Sequence, residues 1–396
     1  MRDYHYYKEV CTGLRMPFAF VDLDMLQQNI QSILHRANGK RIRIASKSIR
    51  SVDVLRRILQ TSTQFQGIMC YTVPEALYLA EQGFTDLLLG YPTVDARQLA
   101  SVAMHQREGC NITLMVDCEE HVEQAEVAAA KYGVVLPLCV DIDLSIDIPG
   151  LHFGVWRSPI RSTDAALDLI KRIAQSRHVV LDGLMGYEAQ VAGLGDRLPR
   201  QVLKNVIVRL LKHHSIREAA TRRAELVEAI NRMGLPPLRF VNAGGTGSLH
   251  TSSVEPVVTE VTAGSGFYSP GLFDHYRDFT MLPAAGYAIE IVRQPRNDLY
   301  TCLGGGYTAS GASGNEKLPR PYLPQGAALL TMEGAGEVQT PIRYNGPEEL
   351  ALGDPIFMRH SKAGELCERF THLYYISNNG IVGETTTYRG DGLCYL

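Results

Sequence analysis

Between residues 17 and 265 the chain alternates short β-branched apolar runs with longer segments whose apolar residues recur every three or four positions. The runs FAFVDL, RIRIAS, GIMCYT, DLLLGY, NITLMVD, VLPLCVDIDL, LDGLMGY, LRFVNAG and VVTEVTAG predict strands, and the segments between them predict helices. SVDVLRRILQ sets apolar residues at 52, 54, 55, 58 and 59 behind Ser51 as N-cap. CEEHVEQAEVAAAKYG follows Asp117 and closes on Gly133, a residue suited to ending a helix. Strand–helix alternation of this kind is the mark of parallel βα units. Eight or so units in about 250 residues predict a (β/α)₈ barrel in preference to an open doubly wound sheet, although nine runs are one more than a barrel needs.

Beyond about residue 270 the texture changes to glycine, proline, tyrosine and β-branched residues, as in AAGYAIEIVRQP and THLYYISNNGIVGETTTYRG, which predicts antiparallel strands. The expected division is a barrel over 17–268 and a β domain over 269–396 that also takes in 1–16. Residues 304–317, GGGYTASGASGNEK, are too glycine-rich for a regular element and are expected to form a loop near a functional surface.

With 396 residues, 45% of them hydrophobic, and a formal net charge of -3, the chain has material for a full core and no charge block suited to nucleic acid or an anionic membrane. The opening MRDYHYYKEVCTGLRMP lacks the apolar centre of a secretory signal, so a cytoplasmic protein is expected. Eight cysteines without a C-x-x-C pair suggest neither a disulfide framework nor a thiolate zinc site.

Only nine of the 39 basic residues are lysines, and Lys47 follows the strand-like RIRIAS run directly. The carboxyl ends of barrel strands supply catalytic groups, and a buried lysine beside Arg50 and Arg43 would lose proton affinity and could form a Schiff base with an aldehyde. A lysine paired with a carboxylate at a strand end is equally compatible with this run. NAGGTGS, Asn242 to Ser248, follows a late strand of the series, where loops of this fold bind phosphate. Gly245, Thr246 and Gly247 are therefore candidate phosphate ligands, and a plain glycine turn is the alternative. An aldehyde-binding lysine and a phosphate cradle in one barrel imply pyridoxal 5′-phosphate.

The order PFAFVDLDMLQQNI, IASKSIR, GLMGYEAQ, NAGGTGS and TEVTAGSGFY resembles the fold-type III pyridoxal enzymes, specifically the D-threonine aldolase and D-serine dehydratase branch of the alanine racemase superfamily. The resemblance implies an alanine racemase-like barrel with a β domain, Lys47 as the cofactor lysine, and Gly245, Thr246, Gly247 and Ser248 as the phosphate grip; Arg50, close to Lys47 in the chain, is a further expected cofactor-binding residue. Arg157 in GLHFGVWRSP fits the family's arginine after its sixth strand, near cofactor and substrate; a surface arginine is the alternative. Tyr187 in GYEAQ and Tyr268 in SGFYSPG are implied pocket residues, each also readable as a core tyrosine, and Gln190 replaces a family histidine. The resemblance further implies a homodimer and a small-molecule amino acid substrate.

Family members bind a divalent ion through an H-x-C or H-x-D pair in a segment like GDPIFMRHSKAGELCERF. Here His360 is present but Lys362 takes the second position, and an ammonium cannot ligate a metal, so no metal is expected. Glu365 or Cys367 could substitute only along a different backbone path. His360 is then the expected general base, or a merely structural histidine. The function implied is a lyase cleaving β-hydroxy-D-amino acids by retro-aldol chemistry. A racemase, a D-amino acid dehydratase or deaminase, and a non-catalytic pyridoxal-binding protein are the alternatives.

Overall fold

The strand Arg41–Ala45 shows how the barrel is made. Ile42 and Ile44 are fully buried in the layer shared with the surrounding helices, while Arg43 turns into the lumen and stands over the Phe240 ring. In this computed structural model, which describes residues 2–311 and 314–395, eight parallel strands close on themselves. They are Arg41–Ala45, Phe65–Cys70, Asp86–Leu89, Asn111–Val116, Leu136–Ile142, Val179–Gly186, Phe240–Ala243 and Glu260–Ala263. Closure is made by the last and the first, with Val261 opposite Ile42.

The lumen is filled by Leu88, Met115, Cys139, Met185 and Phe240. Beneath them lies an ion network in which Arg43 meets Glu260 at 2.7 Å and Asp86 at 3.1 Å, and Arg239 bridges Asp86 and Asp182. Arg43 is thus used inside the barrel, far from any role beside Lys47. Removing one partner would leave a buried charge uncompensated, which is strongly destabilising.

The ninth run has a different home. Phe18–Asp22, read from the sequence as the first barrel strand, pairs antiparallel with Ala285–Arg296 and parallel with His372–Ser377, in the nine-stranded sheet of the second domain. All five of its residues are buried, the pattern of any strand covered on both faces, so hydrophobicity alone did not distinguish the two sheets. Lys47 accordingly follows the first strand of the closed barrel, not the second. The amino-terminal helix Tyr4–Val10 joins the same sheet, with Tyr7 packed on Phe20 and Phe357.

The two helix ends marked in the sequence differ in how far local chemistry sets them. Glu119–Tyr132 begins after Cys118 and ends on Gly133 in the left-handed region at φ 66°. Val52–Thr61 begins after Ser51, but that hydroxyl meets Thr385 Oγ1 at 3.4 Å and caps nothing. The loop 304–317 is irregular where it is described, with a short turn of helix over Asn315–Lys317; residues 312 and 313 lie outside the described residues.

Candidate active site

Three neighbouring strands deliver the site. The chain leaves Arg41–Ala45 through the 3₁₀ turn Ser46–Ser48, leaves Phe240–Ala243 through Gly244–Ser248, and leaves Glu260–Ala263 through Gly264–Tyr268. Lys47 stands exposed on the first of these turns, and its Nζ donates to Tyr91 Oη at 3.0 Å, at the end of strand Asp86–Leu89. Lys47 is therefore at the barrel mouth rather than buried among cations. Arg50 turns away: at φ 52° it donates from Nε to the Lys47 carbonyl at 2.9 Å and pairs with Glu368 at 2.5 Å. Arg50 was expected beside the cofactor; its observed bonds brace the lysine turn against the β domain.

The glycine turn is shaped for close approach. A Cβ on Gly247 would run into the Ala192 carbonyl, and one on Gly245 would lie 3.0 Å from the Tyr187 ring. Thr246 accepts the Gly266 amide at 3.0 Å through Oγ1, tying this turn to the next, where Ser265 Oγ is 3.3 Å from Ser48 Oγ. The Thr246 and Gly247 amides carry no hydrogen bond to the rest of the described chain, which leaves two backbone donors for an oxyanion. Ser248 differs from expectation. Its fully buried hydroxyl donates to Glu188 and accepts the Gly245 amide, so it shapes the turn from behind. Burial would raise the Glu188 carboxyl, but Arg223 and the Ser248 and Ser252 hydroxyls hold it below its ordinary value.

Arg157 follows the fifth barrel strand, donates to Asp141 at 2.6 Å and to the Gly90 carbonyl at 2.9 Å, and stacks over Tyr91. Burial pushes the Asp141 carboxyl up to about 6, with Arg157 opposing. Burial also raises the Tyr91 phenol, yet Lys47 and Arg157 outweigh it and leave Tyr91 below its ordinary value. Tyr187 lies between the glycine turn and Arg157, its hydroxyl pushed up to about 12 by burial. These contacts bring Lys47, Tyr91, Arg157 and Tyr187 together beside the glycine turn, and this cluster at the barrel mouth is the candidate pocket.

Two other expected residues are elsewhere. Tyr268 is fully buried below the lysine turn, where its hydroxyl donates to the Ile49 carbonyl, so it supports the turn without lining the pocket. His360 is also fully buried; neither ring nitrogen makes a well-formed hydrogen bond, and burial and Arg359 outweigh the Ala285 backbone to lower it to about 3, too weak a base for neutral pH. Gln190 is structural, donating to the Leu144 carbonyl and to Ser215 Oγ.

The residues around His360 do not fit a divalent ion. Lys362 donates to Ser310 Oγ at 2.7 Å, Glu365 accepts the Ser310 amide, and the Cys367 thiol is held on the Ile49 carbonyl. The one grouping with metal-ligand spacing among the described residues is Asp117, Cys118 and His121, after strand Asn111–Val116, with donor atoms within 4.8 Å of one another.

Tyr91 and the Glu188–Arg223 pair had no clear mark in the sequence. Tyr91 closes the DLLLGY run, where it reads as the last residue of a predicted strand.

Comparison with known proteins agrees with this architecture. The model of the alanine racemase N-terminal domain family matches residues 21–270. A 3-hydroxy-D-aspartate aldolase of Paracoccus denitrificans is 25% identical over 254 residues, 64% of this chain and 60% of that protein. A D-threo-3-hydroxyaspartate dehydratase of Delftia sp. HT23 is 29% identical over 254 residues, 63% of this chain and 60% of that protein. The matches thus span about three-fifths of these relatives' length. Among solved structures, a D-threonine aldolase from Filomicrobium marinum shares the fold with a TM-score of 0.81 at 18% identity, covering 96% of each chain.

Proposed function

This chain belongs to the alanine racemase N-terminal domain family, and on that premise we propose that it is a pyridoxal 5′-phosphate lyase cleaving β-hydroxy-D-amino acids by retro-aldol chemistry. One observation carries the reading: a lysine amine and a glycine turn with two unengaged amides stand at one barrel mouth, on strand ends separated by the single strand Glu260–Ala263. The relatives named as aldolase and dehydratase of 3-hydroxyaspartate support the same substrate class.

The residues present fit the cofactor. Lys47 would hold its aldehyde carbon, the Thr246 and Gly247 amides its phosphate, and Tyr187 would wall the ring. When bound, pyridoxal 5′-phosphate supplies an electron sink for bonds at the substrate's α-carbon. The chain does the rest. Arg157, fixed by Asp141 and the Gly90 carbonyl, holds a cation at one position beside Tyr91 and Tyr187. Arg50 and Gly364 hold the turn that presents Lys47, the glycine because a Cβ there would strike the Lys47 carbonyl. Lys362, held by Ser310 and close enough to Lys47 for repulsion between them, supports recognition of an oxygen-bearing side chain. His360 is given no proton-transfer role.

We propose that it works in the cytoplasm as a homodimer. Val202, Leu203 and Leu210, each more than two-thirds exposed on the helix Val202–Arg232, are the apolar surface a second copy would cover. No helix among the described residues is long and apolar enough to cross a membrane.

Incubation with D-threonine, D-3-hydroxyaspartate, D-serine and D-alanine, with product identification, tests the reaction. Glycine plus an aldehyde is expected. A keto acid with ammonia would make the protein a dehydratase, enantiomer formation a racemase, and bound cofactor without turnover a carrier.

A further inference from the structure

Tyr91 is set one residue past Gly90, and Gly90 is fixed from both sides: its amide donates to the Cys70 carbonyl at 2.8 Å and its carbonyl accepts Arg157 Nη2. The phenol is consequently held where it meets Lys47 Nζ at 3.0 Å, and no other side-chain oxygen is hydrogen-bonded to that amine among the described residues. The charged and titratable groups facing Tyr91 come from every element at the mouth. Lys47 comes from the turn after Arg41–Ala45, and Arg157 from the segment after the fifth strand, its guanidinium 5.3 Å from the ring centroid. Lys362 comes from the β domain and Tyr187 from the end of Val179–Gly186. Asp141 answers Arg157, and Glu365 faces Lys362. Three cations therefore bear on a single phenol, two of them with carboxylate partners, and the charge closest to its oxygen is Lys47.

We propose that Tyr91 is the proton acceptor for Lys47, taking a proton from its ammonium so that a neutral amine meets the cofactor's aldehyde carbon; this rests on the reading of Lys47 as the cofactor lysine. One N–H bond breaks and one O–H bond forms. Nitrogen keeps its electron pair, the phenolate oxygen supplies the pair for the new bond, and ammonium plus phenolate become amine plus phenol with no change in total charge. As the amine then joins the carbonyl carbon, its two remaining protons leave with the aldehyde oxygen as water.

The test compares the wild-type protein with Tyr91→Phe, a change tolerated by a side chain that is 43% exposed. Cofactor is stripped, and reloading with pyridoxal 5′-phosphate is followed across pH by the long-wavelength absorption of lysine-bound pyridoxal. Tyr91→Phe should load about a hundredfold more slowly near neutral pH. Its rate should converge with wild type above about pH 10, where hydroxide removes the proton unaided. A second readout needs no cofactor: the ultraviolet difference titration of wild type against Tyr91→Phe should place the phenolate midpoint below the ordinary value of about 10, and Lys47→Met should return it upward. Parallel loading profiles, or a Tyr91 midpoint unmoved by Lys47→Met, would overturn the proposal. Failure of the wild type to load at all would instead strike the cofactor reading, with the phenolate titration still deciding the role of Tyr91.

Discussion

Ser248 gives its hydroxyl proton to Glu188 Oε1 at 2.6 Å, and the same hydroxyl oxygen accepts the Gly245 amide at 3.1 Å. The serine thus holds the glycine turn against a buried carboxylate and has no donor left for a phosphate. Ser248→Ala should lower the unfolding free energy by about 1–3 kcal/mol, the range for leaving a buried polar group unmatched, and should weaken cofactor retention with it. Urea unfolding and equilibrium dialysis check the two together. Weakened retention with unchanged unfolding would mean that Ser248 touches the phosphate after all.

Arg50 joins the two domains at the lysine turn. Its guanidinium donates to the Lys47 carbonyl and pairs with Glu368, which also meets Arg389 at 2.7 Å. Arg50→Ala should cost about 1.5–3 kcal/mol, as for charged hydrogen bonds, and should broaden the orientation of Lys47. Thermal unfolding measures the first. The rate of lysine reaction with pyridoxal measures the second and should fall, whereas an Arg50→Ala protein that loads at the wild-type rate would remove the bracing role.

The buried His360 ring makes a pH prediction of definite sign. The unfolded chain protonates this histidine near 6.5, while the folded ring stays neutral down to about 3. Unfolding therefore takes up a proton between those values. The contribution to stability is complete above pH 6.5 and is lost as the pH falls toward 3, in total about 5 kcal/mol. His360→Gln should flatten that part of the stability curve in chemical unfolding series taken between pH 7 and 4. It should also leave the shape of the activity–pH profile unaltered, because the ring does not titrate in the working range. A lost limb in that profile would restore His360 as the general base.

Glu75 gives the opposite trend. Burial pushes its carboxyl up to about 7, against hydrogen bonds from the Tyr71 amide and Tyr388. The folded state holds the extra proton, so this contribution is full below about 4.5 and is lost as the pH rises through 7. Relative to wild type, Glu75→Gln should gain about 3 kcal/mol between pH 4.5 and 8. Paired urea titrations read the difference, and a constant offset across that range would contradict it.

Much of this architecture was legible because strand and helix periods differ, so the βα alternation marks the ends of strands, where Lys47 and Gly245–Gly247 stand. Phe18–Asp22 was misread because a run buried on both faces has the same pattern in either sheet. Side-chain direction within a turn was also hidden. Arg50, Ser248 and Tyr268 lie within a few residues of the pocket, yet a positive φ, a buried carboxylate and a backbone carbonyl turn them elsewhere. Tyr91 was overlooked for the converse reason: a tyrosine after LLLG reads as the last residue of a core strand until the lysine opposite it is placed. His360 kept its expected place in the chain, but its burial depends on packing between Gly271 and the β sheet, which no local pattern encodes.

The proposed chemistry requires that one ε-amino group, that of Lys47, hold the cofactor. Borohydride reduction of the protein loaded with pyridoxal 5′-phosphate, followed by peptide mass spectrometry, tests it most directly. A single reduced pyridoxyl label on Lys47, absent in Lys47→Met, is expected. Label on another lysine, or none after saturation with cofactor, would contradict it.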